Sequence, residues 1–132
     1  MKTLDRVFGC LMFLGGIGHG IGSYKAYGYD HMVLLWAWSA SLAVFLLAGI
    51  NLLRAGRPAD RALAWISLVG CMAWMGLVVW FGQLIGTMLD FRPLVNLVVA
   101  LALAIFSMRS ALQSGKVERV QADMSSARAQ NV

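Results

Sequence analysis

The stretch Leu14–Ser23, LGGIGHGIGS, sets one imidazole among five glycines inside an apolar run. A histidine there has three uses. It can hydrogen-bond a neighbouring hydroxyl or backbone carbonyl and tie two helices together, an interaction that contributes roughly 1 kcal/mol inside a membrane. It can anchor the polar end of a lipophilic guest, because glycines leave room beside it. It can act as an acid or base, since a neutral imidazole offers one donor and one acceptor. An ionisable group inside an apolar segment is costly and asks for one of these reasons.

Other reactive side chains are sparse. The two cysteines, Cys10 and Cys71, are far apart in sequence and read as small packing residues, with neither a disulfide nor a metal site implied. Haem ligation would require a second histidine at similar depth, and His31 lies at the head of the next apolar run. A zinc centre lacks ligands. Asp5, Asp30, Asp60, Asp90, Glu118 and Asp123 all fall at ends, loops or tail, which argues against proton-coupled transport. No cofactor is implied. The exposed group His31, Asp30, Lys25, Asp90 and Arg92 reads as solvated loop charges.

The elements that must position His19 follow from hydropathy. The chain of 132 residues is 60% hydrophobic and 13% charged, against about 25% charged in soluble domains. Its apolar runs, about 7–24, 33–53, 63–85 and 94–108, are each near the roughly 20 residues that cross a bilayer as a helix. Period-2 alternation is absent, which disfavours a β-barrel. The expected fold is an all-α, polytopic four-helix bundle over residues 1–112, with a polar tail at 113–132.

Nine of the eleven Lys and Arg residues lie at the N-terminus, around the 54–62 loop or in the tail; Lys25 and Arg92 are the other two. This asymmetry predicts that both termini and the 54–62 loop lie on the cytoplasmic side of the membrane. It also directs the net charge of +5 to lipid headgroups, not nucleic acid. Tyr24, Tyr27, Tyr29, Trp36, Trp38, Trp80, Phe81 and Phe91 gather at the opposite boundary as an aromatic belt.

Helical periodicity assigns faces. In the first span Gly15, Gly16, Gly18, Gly20 and Gly22 flank His19 on a predicted packing face, while Cys10, Phe13, Leu14, Ile17, Ile21 and Tyr24 face lipid. Ala37, Ala40, Ser41, Val44, Ala48 and Asn51 form the inner face of the second span; Asn96, Ala100, Leu103, Ser107 and Ser110 form that of the fourth. The third span does not divide cleanly, which leaves open a central position or contact with a second subunit.

Residues 5–54 laid over 60–109 share nine identities: Asp5/Asp60, Arg6/Arg61, Gly15/Gly70, Leu34/Leu89, Leu42/Leu97, Val44/Val99, Leu46/Leu101, Ile50/Ile105 and Arg54/Arg109. Both halves would begin and end on one side of the membrane, as a parallel repeat. The register equates His19 with Trp74 and Ser41 with Asn96. It predicts an axial polar layer of His19, Ser41 and Trp74, lined by Met12, with Asn96 just above unless the fourth helix starts before Pro93.

The segments GIGHGIGS at 16–23 and LLWAW at 34–38, with the four-span plan, resemble the DoxX-like group and other small bacterial inner-membrane proteins. The resemblance covers residues 1–112 and implies the fold, without a catalytic motif. The expectation is a structural or accessory membrane component, meeting the bilayer, other membrane subunits or a second copy. The alternatives are a binder of a quinone- or lipid-like molecule at His19, and a membrane enzyme using His19 as acid or base.

Overall fold

The computed structural model describes residues 2–86 and 90–130, with side chains for 3–86, 90–115, 124 and 125. Leu89, matched to Leu34 in the internal alignment, lies outside the described residues, as do the side chains of Lys116, Glu118, Arg119, Asp123 and Arg128. Four helices follow one another: α1 (Lys2–Tyr27), α2 (His31–Gly56), α3 (Arg61–Leu84) and α4 (Phe91–Gln130). Each carries a window long and apolar enough to cross a membrane, over Thr3–Tyr27, His31–Gly56, Arg61–Leu84 and Phe91–Gly115. The protein is a membrane four-helix bundle. The terminal end holds the start of α1, the α2–α3 connection and the continuation of α4; the hairpin end holds the α1–α2 connection, the end of α3 and the start of α4.

Local chemistry fixes the boundaries. Asp30 caps α2 by accepting from the Met32 and Val33 amides at 3.1 Å, and Asp60 caps α3 through the Leu63 amide at 2.9 Å. Gly86 follows the end of α3 with φ +77°, a left-handed conformation that costs glycine little. Asp90 accepts the Arg92 amide at 2.9 Å, and α4 starts before Pro93, whose missing N–H is harmless in a first turn. The polar tail continues α4 as helix, and Ser110 and Ser114 tie it to the connection below by donating to the Pro58 carbonyl.

The expected lipid face of α1 is outward: Cys10, Phe13, Leu14, Ile17, Ile21 and Tyr24 are all exposed. The aromatic belt is exposed at the hairpin end, where Tyr24 stacks on Trp38 at 6.5 Å. The packing face of α1 differs from the glycine set expected. Gly9, Gly16 and Gly20 meet α2, whereas Gly15, Gly18 and Gly22 have nothing within 4 Å of where a Cβ would stand. Bulky α2 side chains explain the choice. A Cβ on Gly16 would lie 2.7 Å from the Phe45 ring, and one on Gly9 2.7 Å from Leu52. These holes, with buried Met12 and Ser23, centre the inner stripe about 60° around the helix from His19 at 100° per residue. His19 itself is exposed on the flank.

In α3 a clean stripe of Ala64, Ser67, Cys71, Val78 and Gly82 is buried. The third span does divide, through small residues whose hydropathy hides the stripe. Ala73 and Gly76 are exposed.

Helices α1 and α2 pack closely, as do α3 and α4, and the two hairpins meet through α1 against α4 and α2 against α3. Burial follows the 55-residue register: Gly9 and Ala64, Met12 and Ser67, Gly16 and Cys71, Ser23 and Val78, Val44 and Val99, Ala48 and Leu103 are buried in both halves. The shared apolar core comprises Met12, Val44, Leu47, Ala48, Cys71, Val99, Ala100, Leu103 and Ala104, and no described residue of 17–43 or 76–98 belongs to it. The hairpins are therefore joined in the terminal half of the bundle.

Two outcomes follow. Gly16→Val forces Phe45 and Val44 aside and lowers stability in detergent by about 1–3 kcal/mol, whereas Gly15→Val is neutral; equal melting temperatures for the two variants would contradict the packing face. The Asp90 carboxyl, held at about 2 by hydrogen bonds from Arg92, is ionised and paired at neutral pH. A carboxyl-resolved NMR titration should show the Asp90–Arg92 pair opening only as pH falls from the ordinary value of 3.8 to about 2. Arg92→Gln should return the midpoint to the ordinary range.

Candidate functional site

The most concentrated chemistry lies in the terminal half, where all four helices place polar side chains on the axis. Arg54 of α2 is 1% exposed, the largest fully buried side chain. Its Nη1 donates to Asp5 Oδ2 of α1 at 3.0 Å, and its Nη2 donates to Oδ1. Nη2 also reaches Asn51 Oδ1 at 3.4 Å. Asn51, one turn earlier, donates to the Leu47 carbonyl at 2.9 Å and to Cys71 Sγ at 3.5 Å. Its carbonyl accepts from Ser67 of α3 at 2.8 Å, and Ser67 lies 2.8 Å from the Ser107 hydroxyl of α4.

Arg54, Asn51, Ser67 and Ser107 are buried away from any solvent, so each must find its partner inside the protein. A bidentate carboxylate is the geometry that compensates a guanidinium best. One donor is left over: Arg54 Nε is buried and has no partner among the described residues. A buried unpaired donor costs about 1–3 kcal/mol. A cavity of about 160 Å³ opens beside it, bordered by Asp5, Arg54, Pro58, Phe106, Arg109 and Gln113.

Sequence reasoning missed this cluster because it assigned Arg54 to a loop. The signal was present in the internal alignment, where Asp5 and Arg54 open and close one half and must lie together once the hairpin folds. The equivalent pair in the other half is not made: Asp60 caps α3 and Arg109 is exposed.

The residues singled out around His19 are only partly assembled. His19 Nδ1 and Ser41 Oγ are 2.9 Å apart, joining α1 to α2. The Trp38 indole donates to the Gly20 carbonyl at 3.2 Å, a second tie between the same helices. Trp74 stands half-buried against the shared core, and its Nε1 is buried without a partner among the described residues. Asn96 turns its amide to the Arg92 carbonyl of its own helix at 2.9 Å. Met12 is in the core, 3% exposed. The second half thus does not repeat the His19–Ser41 bond with Trp74 and Asn96, and the four-residue polar layer is not closed. Beside His19 an apolar groove of about 290 Å³ runs along the outside of α1 and α2, lined by Gly16, Gly20, Trp38, Ser41, Leu42 and Phe45.

No protein family, curated protein or solved structure gives a match to this chain. The chemical reading therefore rests on the geometry itself.

Asp5→Asn leaves Arg54 buried with an uncompensated charge and should destabilise the bundle by about 3–5 kcal/mol, read as thermal or denaturant unfolding in detergent. The double variant Asp5→Leu, Arg54→Met removes both charges and should recover most of that loss. A double variant no more stable than Asp5→Asn would show that the pair is not balanced as described.

Proposed function

We propose that the protein is an accessory component of the bacterial inner membrane, with cytoplasmic termini and a plan akin to the DoxX-like group. Its α1 surface beside His19 seats another membrane-embedded helix, from a different subunit or a second copy. The observation that carries this reading is His19 itself. One ring nitrogen is bonded to Ser41, and the exposed imidazole, on a membrane-spanning helix, has no second partner among the described residues. Beside it, Gly15, Gly18 and Gly22 have open space at their Cβ positions. Small residues let helix backbones approach closely, and a polar side chain at such a contact hydrogen-bonds across it. The charge asymmetry of the loops supports the orientation.

A second reading is favoured by the groove along Gly16, Gly20, Trp38 and Phe45. Its apolar lining suits part of a quinone- or lipid-like molecule, and Ser41, the partner of His19, is the hydroxyl on its wall. Acid–base catalysis has weaker support, because no second titratable group is bonded to His19 among the described residues.

A photocrosslinking residue at Gly18, compared with one at Leu14 on the lipid face, separates these readings in native membranes. The accessory reading expects a protein adduct of discrete mass at position 18 and none at position 14. A small lipophilic adduct confined to position 18 would favour the second reading. The same diffuse lipid adducts at both positions would defeat both.

A further inference from the structure

The cavity at the terminal end contains more donor chemistry than the fold consumes. We infer that it is a binding site for a phosphate group, carried by an anionic phospholipid headgroup or as free phosphate, with Arg54 and Arg109 as its cationic walls. The charge balance is favourable: Arg54 and Arg109 contribute two positive charges, and Asp5 offsets one. Arg54 already gives both terminal nitrogens to Asp5, and it borders the cavity with a buried guanidinium whose Nε has no partner among the described residues. Its charge is therefore only partly compensated within the protein, and an oxyanion held in the adjoining cavity would stabilise it.

Arg109 stands on α4 across the cavity. It is exposed and carries no ion pair among the described residues, so its guanidinium is available to a guest. The Gln113 amide lies one turn further along the same helix face. Ser110, between them, already donates to the Pro58 carbonyl and closes the floor. The apolar ring of Phe106, held edge-on by Phe8 at 5.9 Å, borders the side facing the membrane-spanning core.

About 160 Å³ is room for a phosphate and its ester oxygens, not for an extended molecule. The site lies where α2 ends and α4 emerges from its apolar stretch, the level of headgroups. Basic pockets between membrane helices at that level bind anionic headgroups. The 55-residue offset explains why a cation is left over. Arg54 and Arg109 are equivalent positions, yet only Arg54 has an aspartate, because Asp60 is committed to the N-terminus of α3.

The test uses the full chain in phosphatidylcholine nanodiscs. In one arm phosphatidylglycerol is added in increasing proportion and retained lipid is counted by native mass spectrometry. In the other, inorganic phosphate is titrated calorimetrically. Arg109→Gln removes a side chain on which the fold does not depend, and Arg57→Gln removes an exposed cation of the same end that does not line the cavity. The expected result is saturable binding of one equivalent, weakened about tenfold or more in Arg109→Gln, the loss of a charge-assisted hydrogen bond, and unchanged in Arg57→Gln. Saturation in the lipid arm alone identifies a headgroup, and saturation with inorganic phosphate identifies the free anion. Absence of saturation in both arms, or equal losses in the two variants, overturns the proposal.

Discussion

A guanidinium buried among membrane helices is the constraint around which this bundle is built. At 1% exposure Arg54 cannot escape to water, so its charge has to be compensated inside the protein. Its carboxylate comes from α1, its amide neighbour Asn51 from its own helix, and the network passes through Ser67 of α3 to Ser107 of α4. Apolar packing alone leaves helices in a membrane free to slide and rotate, since lipid tails are as apolar as Leu. Directional bonds from every helix remove that freedom. A one-residue slip of any helix would rotate its contribution by about 100° and leave a charge or hydroxyl unpaired.

The same network explains why the two ends of the molecule differ. Both hairpins contribute to the polar cluster and to the apolar core just above it, whereas the described residues of 17–43 and 76–98 contribute nothing to that shared core. Toward the hairpin end each half is held by its own ties, such as His19 to Ser41 and Trp38 to the Gly20 carbonyl. The terminal half is locked by bonds that cost much to break; the hairpin half relies on individually modest ones.

Much of this was legible in the sequence. Span number, inner faces of α2 and α4 and lipid face of α1 all follow from periodicity and charge, which lipid enforces strictly. The rotation of α1 was not legible, because glycine shows only that close approach is allowed. The large neighbours Phe45 and Leu52 decided which glycines are used. The stripe on α3 was hidden for a related reason: Ala, Ser, Cys and Gly carry little hydropathy contrast. Arg54 was misread because loop charges are counted by their nearness to a span end, and a buried arginine in the last turn of a helix looks the same in sequence.

The two halves share a plan of burial, so their departures from it are informative. Two levels stand out among those that involve polar groups. At one level His19 meets Ser41, while its counterpart Trp74 leaves an indole N–H unpaired among the described residues and Asn96 turns back to its own helix. At another, Arg54 is sealed beneath Asp5, while its counterpart Arg109 stands exposed at the cavity mouth. Packing requirements alone would treat equivalent positions alike, as they do at Val44 and Val99 or Ala48 and Leu103. At these two levels the Trp74 indole N–H and the Arg109 guanidinium are left without a protein partner among the described residues. Asn51 against Phe106 and Ser107 against Leu52 also break the symmetry, but they spend their bonds inside the bundle; the groups at these two levels do not, and that is the physical reason for looking for a guest there.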